Sequence, residues 1–169
     1  MKKLRSTTTA RLSTPRATLA TIGLKLRSLK LFDAVSEHVQ IRQKTIKHTP
    51  LEKLQDAFIA ILSGAHGLSE VNTRVRPDKA LQRAFGRSSC AEQSVVQETL
   101  DRCTATNIEQ MEAAVDTIFR KHAEAYRHDY KSDLLLLDVD FTGLPCGKRA
   151  EMSEKGYFSD QGIRYGRLR

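Results

Sequence analysis

The sequence predicts a mainly α-helical protein whose strands are confined to its C-terminal end. Three observations carry this. Apolar residues recur every three or four positions from residue 17 to about residue 127. Side chains that cap helices stand just before several of these runs. At residue 133 the pattern changes to a leucine run that passes into alternation and ends at Gly143 and Pro145, as a buried strand does.

Along the chain, residues 1–15 show no apolar period and are dominated by Thr, Ser and Arg, which predicts a flexible basic arm. Residues 16–130 form the helical region. Its first run, Leu19, Ile22, Leu26, Leu29, Phe32, Val35 and Val39, has helical spacing, and Gly23 is expected to break it. Thr49, Pro50 and Glu52 make a capping box with proline at the first helical position. The stripe Leu51, Leu54, Phe58, Ile61 and Leu62 follows and ends at Gly64. A short helix is expected over residues 69–75, before Pro77.

Asp78 then caps a short helix with Leu81 and Phe85 on its apolar face, closed by Gly86. Ser89 and Glu92 form a second capping box before Val95, Val96, Thr99 and Leu100. Helix, glycine turn and helix at this length predict a helix–turn–helix-like pair, a hairpin that either reads DNA or simply packs in a bundle. Thr106 and Glu109 start the longest predicted helix, with Ile108, Met111, Val115, Ile118, Phe119, His122 and Tyr126 on one face. His122 on that face reads as a packed residue without chemistry. Residues 131–169 start a different domain: a strand within residues 133–142, a hairpin turn over 143–147, and a second strand from Lys155-Gly156-Tyr157-Phe158.

Composition narrows the functional classes. Of 169 residues, 40% are hydrophobic and 28% charged, ordinary usage for a soluble protein. The longest apolar run is four leucines, far short of the ~20 residues a membrane-spanning helix needs, so no membrane partner is expected. No apolar segment follows the basic N-terminus, which argues against a secretory signal. A transit peptide shares the acid-free composition of residues 1–30 but ranks lower, because the basic stretch runs directly into helical sequence. Cys90, Cys103 and Cys146 are odd in number and lack metal-ligand spacing, which predicts reduced thiols in a cytoplasmic protein.

Charge is segregated. Residues 1–50 carry eleven Lys and Arg against Asp33 and Glu37, a net +9; residues 51–144 are net −4 and residues 145–169 net +3. A polyanion is the usual reason for such an arrangement, and nucleic acid is the commonest one. The candidate DNA-binding residues are Lys2, Lys3, Arg5, Arg11, Arg16, Lys25, Arg27 and Lys30, with Arg83 and Arg87 on the helix pair. The plain alternative is a solvated basic tail.

Asp138 and Asp140 carry most chemical promise. Two apart on a strand, they face the same side of the sheet, beside apolar sequence. Buried carboxylates need a counter-charge, and a hard divalent cation such as Mg²⁺ supplies one. In two-metal phosphoryl chemistry such acids hold the ions. The string Asp138-Val139-Asp140-Phe141-Thr142 resembles the first motif of haloacid-dehalogenase-type phosphatases, with Asp138 as nucleophile, but only 29 residues follow Asp140 and that family needs more.

A second resemblance covers more of the chain. Leu134 through Thr142, then Gly143-Leu144-Pro145-Cys146-Gly147-Lys148, then Glu154-Lys155-Gly156-Tyr157-Phe158 resembles the opening of the catalytic domain in bacterial insertion-sequence transposases of the DDE type. Pro77-Asp78-Lys79-Ala80-Leu81-Gln82-Arg83-Ala84-Phe85-Gly86-Arg87 is similar to a segment of their N-terminal region. The resemblance implies a ribonuclease-H-like α/β domain, DNA as partner and Mg²⁺ as cofactor. It implies Asp140 as the first metal-binding acid of the catalytic triad, with Asp138 in reserve. The remaining Asp and Glu of such a triad fall far beyond the first strand. The expectation is therefore a truncated transposase, an N-terminal fragment that binds DNA but does not cut it. The competing expectation is a small basic helical DNA-binding regulator with no catalytic ancestry.

Overall fold

A computed structural model describes residues 12–45, 47–131, 143–150, 152–158 and 162–168. Its contacts divide the chain into two compact units, Met1–Arg127 and His128–Arg169. The first is helical and the second holds a small antiparallel sheet.

In the helical unit, α1 (Ala17–Ser28) and α2 (Leu31–His38) divide the first predicted run. The break is not at Gly23, which lies inside α1, but at Lys30, in the left-handed region with φ 54°. Gly23 serves close approach instead. A Cβ there would fall 2.5 Å from Phe85 Cδ2, so its absence lets the Phe85 ring seat against α1.

Helix α3 (Pro50–Leu62) starts as the sequence predicts. The Glu52 N–H donates to Thr49 Oγ1 at 3.2 Å and the Thr49 N–H donates to Glu52 Oε2 at 2.8 Å, a reciprocal cap worth about 1 kcal/mol. Gly64 follows its end in the left-handed conformation, φ 78°. The buried face of α3 differs from the predicted stripe. Lys53, Asp56, Ala57, Ile59 and Ala60 are buried, while Ile61 is 70% exposed. The reason is tertiary: α3 is covered by a short helical stretch at residues 68–75 and by α5 (Gln93–Asp101), so one narrow stripe does not describe it.

Residues 68–75 form a 3-10 turn running into a wide π turn, where a short helix is expected. Gln82, fully buried, donates its Nε2 to the carbonyls of Val75 at 2.7 Å and Arg76 at 2.8 Å, a second bond for Val75, which also accepts from the Asp78 N–H at 3.1 Å. Asp78 caps α4 (Lys79–Ala84) through the Leu81 N–H at 2.9 Å, and Gly86 closes it at φ 82°.

The predicted helix–turn–helix pair does not form. Residues 85–92 separate α4 from α5; α4 packs chiefly on α1, and α5 on α3. The Ser89–Glu92 capping box is absent too, since α5 begins only at Gln93 with no side-chain cap. The Asp56 carboxylate accepts from the Ala91 N–H at 2.7 Å and holds this segment against α3, so the helix starts after it.

The long helix α6 (Ala105–His122) begins two residues before the predicted start, on a Thr104–Asn107 box. Ala123 separates it from the single turn α7 (Glu124–Arg127). It packs on α2 through buried Asn107 and Ala114, and the Asn107 amide donates to the Gln40 carbonyl at 2.8 Å. The predicted apolar face turns elsewhere: Ile108 and Val115 are more than half exposed. The main core gathers Ile59 and Ala60 of α3, Val71, Val75, Leu81, Phe85 and Cys90, with Leu19, Ala20 and Leu26 of α1 against it.

The second unit holds β1 (Gly143–Pro145), β2 (Glu154–Phe158) and β3 (Gly162–Leu168), all antiparallel, in the order β1-β3-β2. Lys155 to Phe158 are in a strand, as predicted. The expected first strand, within residues 133–142, lies outside the described residues; the turn expected over 143–147 is corrected, since Gly143 to Pro145 is strand and pairs with β3. Gly166, opposite both Pro145 and Glu154, sits buried at the centre of the sheet. No described helix is long and apolar enough to cross a membrane.

Candidate nucleic-acid interface

Lys2, Lys3, Arg5 and Arg11 of the basic arm, and the acid pair Asp138 and Asp140, lie outside the described residues. The other sequence candidates fall in the helical unit, and the structure gives them three different tasks.

Helices α1 and α4 contain no acidic residue and pack on each other through Gly23 and Phe85. They carry Lys25 and Arg27 in the last turn of α1, and Lys79 and Arg83 on α4. Arg27 Nη1 donates to the Arg83 carbonyl at 3.1 Å. Its stem crosses Gly86, where a Cβ would fall 3.2 Å from Arg27 Cδ. A guanidinium across the C-terminus of α4 meets the negative end of that helix. Arg83 stands beside it, exposed, as is Lys30 just past α1. None of Lys25, Arg27, Lys30, Lys79 and Arg83 has a carboxylate partner among the described residues. Lys25, two positions from Arg27 on the helix, projects from the far side of α1 and is not part of the Arg27–Arg83 cluster.

Arg16 is different. It pairs with Asp78 at 3.6 Å, and the Thr14 hydroxyl donates to the same carboxylate. Its charge fastens the start of α1 to the N-terminus of α4.

Arg87 is a correction. It is 3% exposed, so it presents no cation to a partner. Its Nε and Nη2 donate to the two oxygens of Asp56 at 2.9 and 3.1 Å, Nη1 donates to Glu52, and Nη2 meets His48 Nδ1 at 3.3 Å. Burial works against the guanidinium charge, but the hydrogen bonds and charges of Asp56 and Glu52 outweigh it and hold Arg87 protonated. Burial, then the Arg87 charge, pushes the His48 imidazole below its usual value. Glu52 resists burial through the Thr49 N–H and Arg87, which hold its carboxyl below the usual range. Burial, then the Asp56 carboxylate, pushes the Cys90 thiol up to about 12, so it stays an inert thiol at neutral pH.

Sequence reasoning missed Asp56, His48 and Lys53. The available signal was the spacing Lys53, Asp56, Ala57, Ala60, a second helical face alongside the leucine stripe. Comparison with known proteins finds no matching family profile, no matching characterised sequence and no matching solved structure.

Proposed function

We propose that the chain binds duplex DNA through its helical unit, as the DNA-binding part of a DDE-type transposase joined to the opening strands of the catalytic domain. The observation that carries the reading is the acid-free α1–α4 face, where Arg27, Lys79 and Arg83 lie on two packed helices without a carboxylate partner among the described residues. Cations fixed on rigid elements suit phosphate contacts that position a protein on DNA without reading bases. The basic arm would add contacts, and the motif order from residue 77 to residue 158 supports the transposase assignment. In that assignment the strand acid Asp140, with Asp138 beside it, binds Mg²⁺.

The test is duplex binding followed by fluorescence anisotropy across a salt series. With about five phosphates contacted, log K is expected to fall with log salt at a slope of roughly −4 to −5. Arg83→Gln with Lys79→Gln should flatten the slope by about 2, and removal of residues 1–11 should flatten it further. A slope unchanged by the double variant removes this face from the interface. The regulator reading uses the same surface and is favoured by the separate core of the helical unit. Mg²⁺ titration of the full chain separates the two: binding lost in Asp140→Ala supports the transposase, and binding that persists unchanged in the variant supports the regulator.

A further inference from the structure

A cleft of about 530 Å³ opens beside α3 and α5, within the helical unit, and shares no residue with the α1–α4 face. Five cations line it: Lys44, Lys47, Lys53, Arg76 and Arg102. Two of them are matched by acids on the same wall. Arg76 lies 3.9 Å from Glu92, and Arg102 lies 2.9 Å from Glu98. Lys44, Lys47 and Lys53 have no carboxylate partner among the described residues.

Lys53 is the telling member. It is 4% exposed, yet among the described residues its Nζ donates only to a neutral acceptor, Gln43 Oε1 at 2.9 Å. That amide oxygen also accepts from Thr99 Oγ1 at 2.6 Å, with Thr99 itself fully buried, so the ammonium is held in place. An ammonium has three donors and a full charge, and burying it beside a neutral amide alone is costly. Its own helix carries Asp56, but both oxygens of that carboxylate are taken by Arg87 and the Ala91 N–H. No described carboxylate neutralises Lys53, and the cleft it lines brings Lys44 and Lys47, two more cations without a described carboxylate partner, to the same opening.

We propose that this cleft binds a phosphate group, with Lys53 as its buried anchor and Lys44 and Lys47 at its mouth. The volume accommodates more than a bare phosphate, and the cation count suits a dianion or a phosphodiester with its neighbours. Two sources share this chemistry, a free phosphate and a backbone phosphate of DNA. The second would add a contact to the interface proposed above and rests on that reading; the first does not.

The experiment uses inorganic phosphate on the full chain, with sodium chloride at matched ionic strength as the control. Phosphate should raise Tm beyond chloride and shift the amide resonances of Lys44, Lys47 and Val95. Lys53→Met keeps the packing of the stem and removes the charge, so it should fold and bind phosphate about tenfold more weakly or worse. If Lys53→Met fails to fold, Lys44→Gln with Lys47→Gln, both exposed, should weaken phosphate binding instead; Lys121→Gln on α6 should not. Equal stabilisation by phosphate and chloride, or full phosphate affinity in the cleft variants, overturns the proposal. Duplex DNA then distinguishes the sources. Loss of about one unit of salt slope in the cleft variant identifies a backbone phosphate, and unchanged DNA binding with lost phosphate binding identifies a free ligand. Failure of the α1–α4 variants to alter DNA binding leaves the phosphate result standing.

Discussion

Asp56→Ala should cost the helical unit about 3–5 kcal/mol, seen as a large fall in urea midpoint. Asp56 is fully buried and accepts three hydrogen bonds: two from Arg87, at 2.9 and 3.1 Å, and one from the Ala91 N–H at 2.7 Å. Truncation leaves a guanidinium that cannot lose its proton, buried with Glu52 as its remaining carboxylate. It also frees the backbone between α4 and α5 from α3. Asp56→Asn keeps the shape and should cost less. Asp56→Ala combined with Arg87→Met removes both charges and should recover part of the loss, a coupling that a double-mutant cycle reads directly. A loss below about 1 kcal/mol in Asp56→Ala would mean the pair contributes little.

The same cluster sets an acid sensitivity. His48 is depressed from its ordinary 6.5, so the unfolded chain takes up that proton more readily than the folded one. Its contribution is complete above pH 6.5 and is lost as pH falls through the lower folded value. Glu52 is depressed from 4.5 and acts in the same direction further down. The urea midpoint should therefore decline on acidification from neutral, less in a His48→Gln variant across the upper window.

Phe85→Ala should cost about 3–5 kcal/mol, because a 1% exposed ring at the centre of the core leaves a cavity. Gly23→Ala tests the same contact from the other side. Alanine is the better helix former by about 1 kcal/mol, which alone predicts stabilisation. The steric effect opposes it: the new methyl would meet ring carbons at 2.5 and 2.6 Å, and the ring is enclosed. Overpacking of this kind costs about 1–3 kcal/mol, so the clash should win and Tm should fall. In a Phe85→Leu background the conflict eases, and Gly23→Ala should become neutral or stabilising. Stabilisation in the parent protein would show that the ring has room to move.

What was legible in the sequence follows from range. Thr49 with Glu52, Asp78, Gly64 and Gly86 act on backbone within a few residues, and each is found at the helix end its chemistry implies. The Thr104 box was missed by two positions because Thr106 and Glu109 offer the same pattern. Gly23 was misread because a helical glycine signals either a break or a close approach, and only the arrival of α4 decides. Arg87 looked like a surface cation because its partners lie 31 and 35 positions upstream. The helix–turn–helix pair failed for the same reason: Asp56 on α3, not local spacing, governs where α5 begins. Of the candidate interface, the cations were legible as composition. Their division into a paired Arg16, a buried Arg87 and an open Arg27–Arg83 cluster was not, because it depends on which helices meet.

Lys30 turns the chain between α1 and α2 in a left-handed conformation that a residue bearing a Cβ adopts at a cost. Glycine there would relax the turn and delete a positive charge in one step. Variation at this position is thus pulled two ways. A more robust fold favours glycine, whereas the proposed DNA binding favours the strained lysine, so Lys30→Gly should raise stability and, on that proposal, lower affinity for DNA.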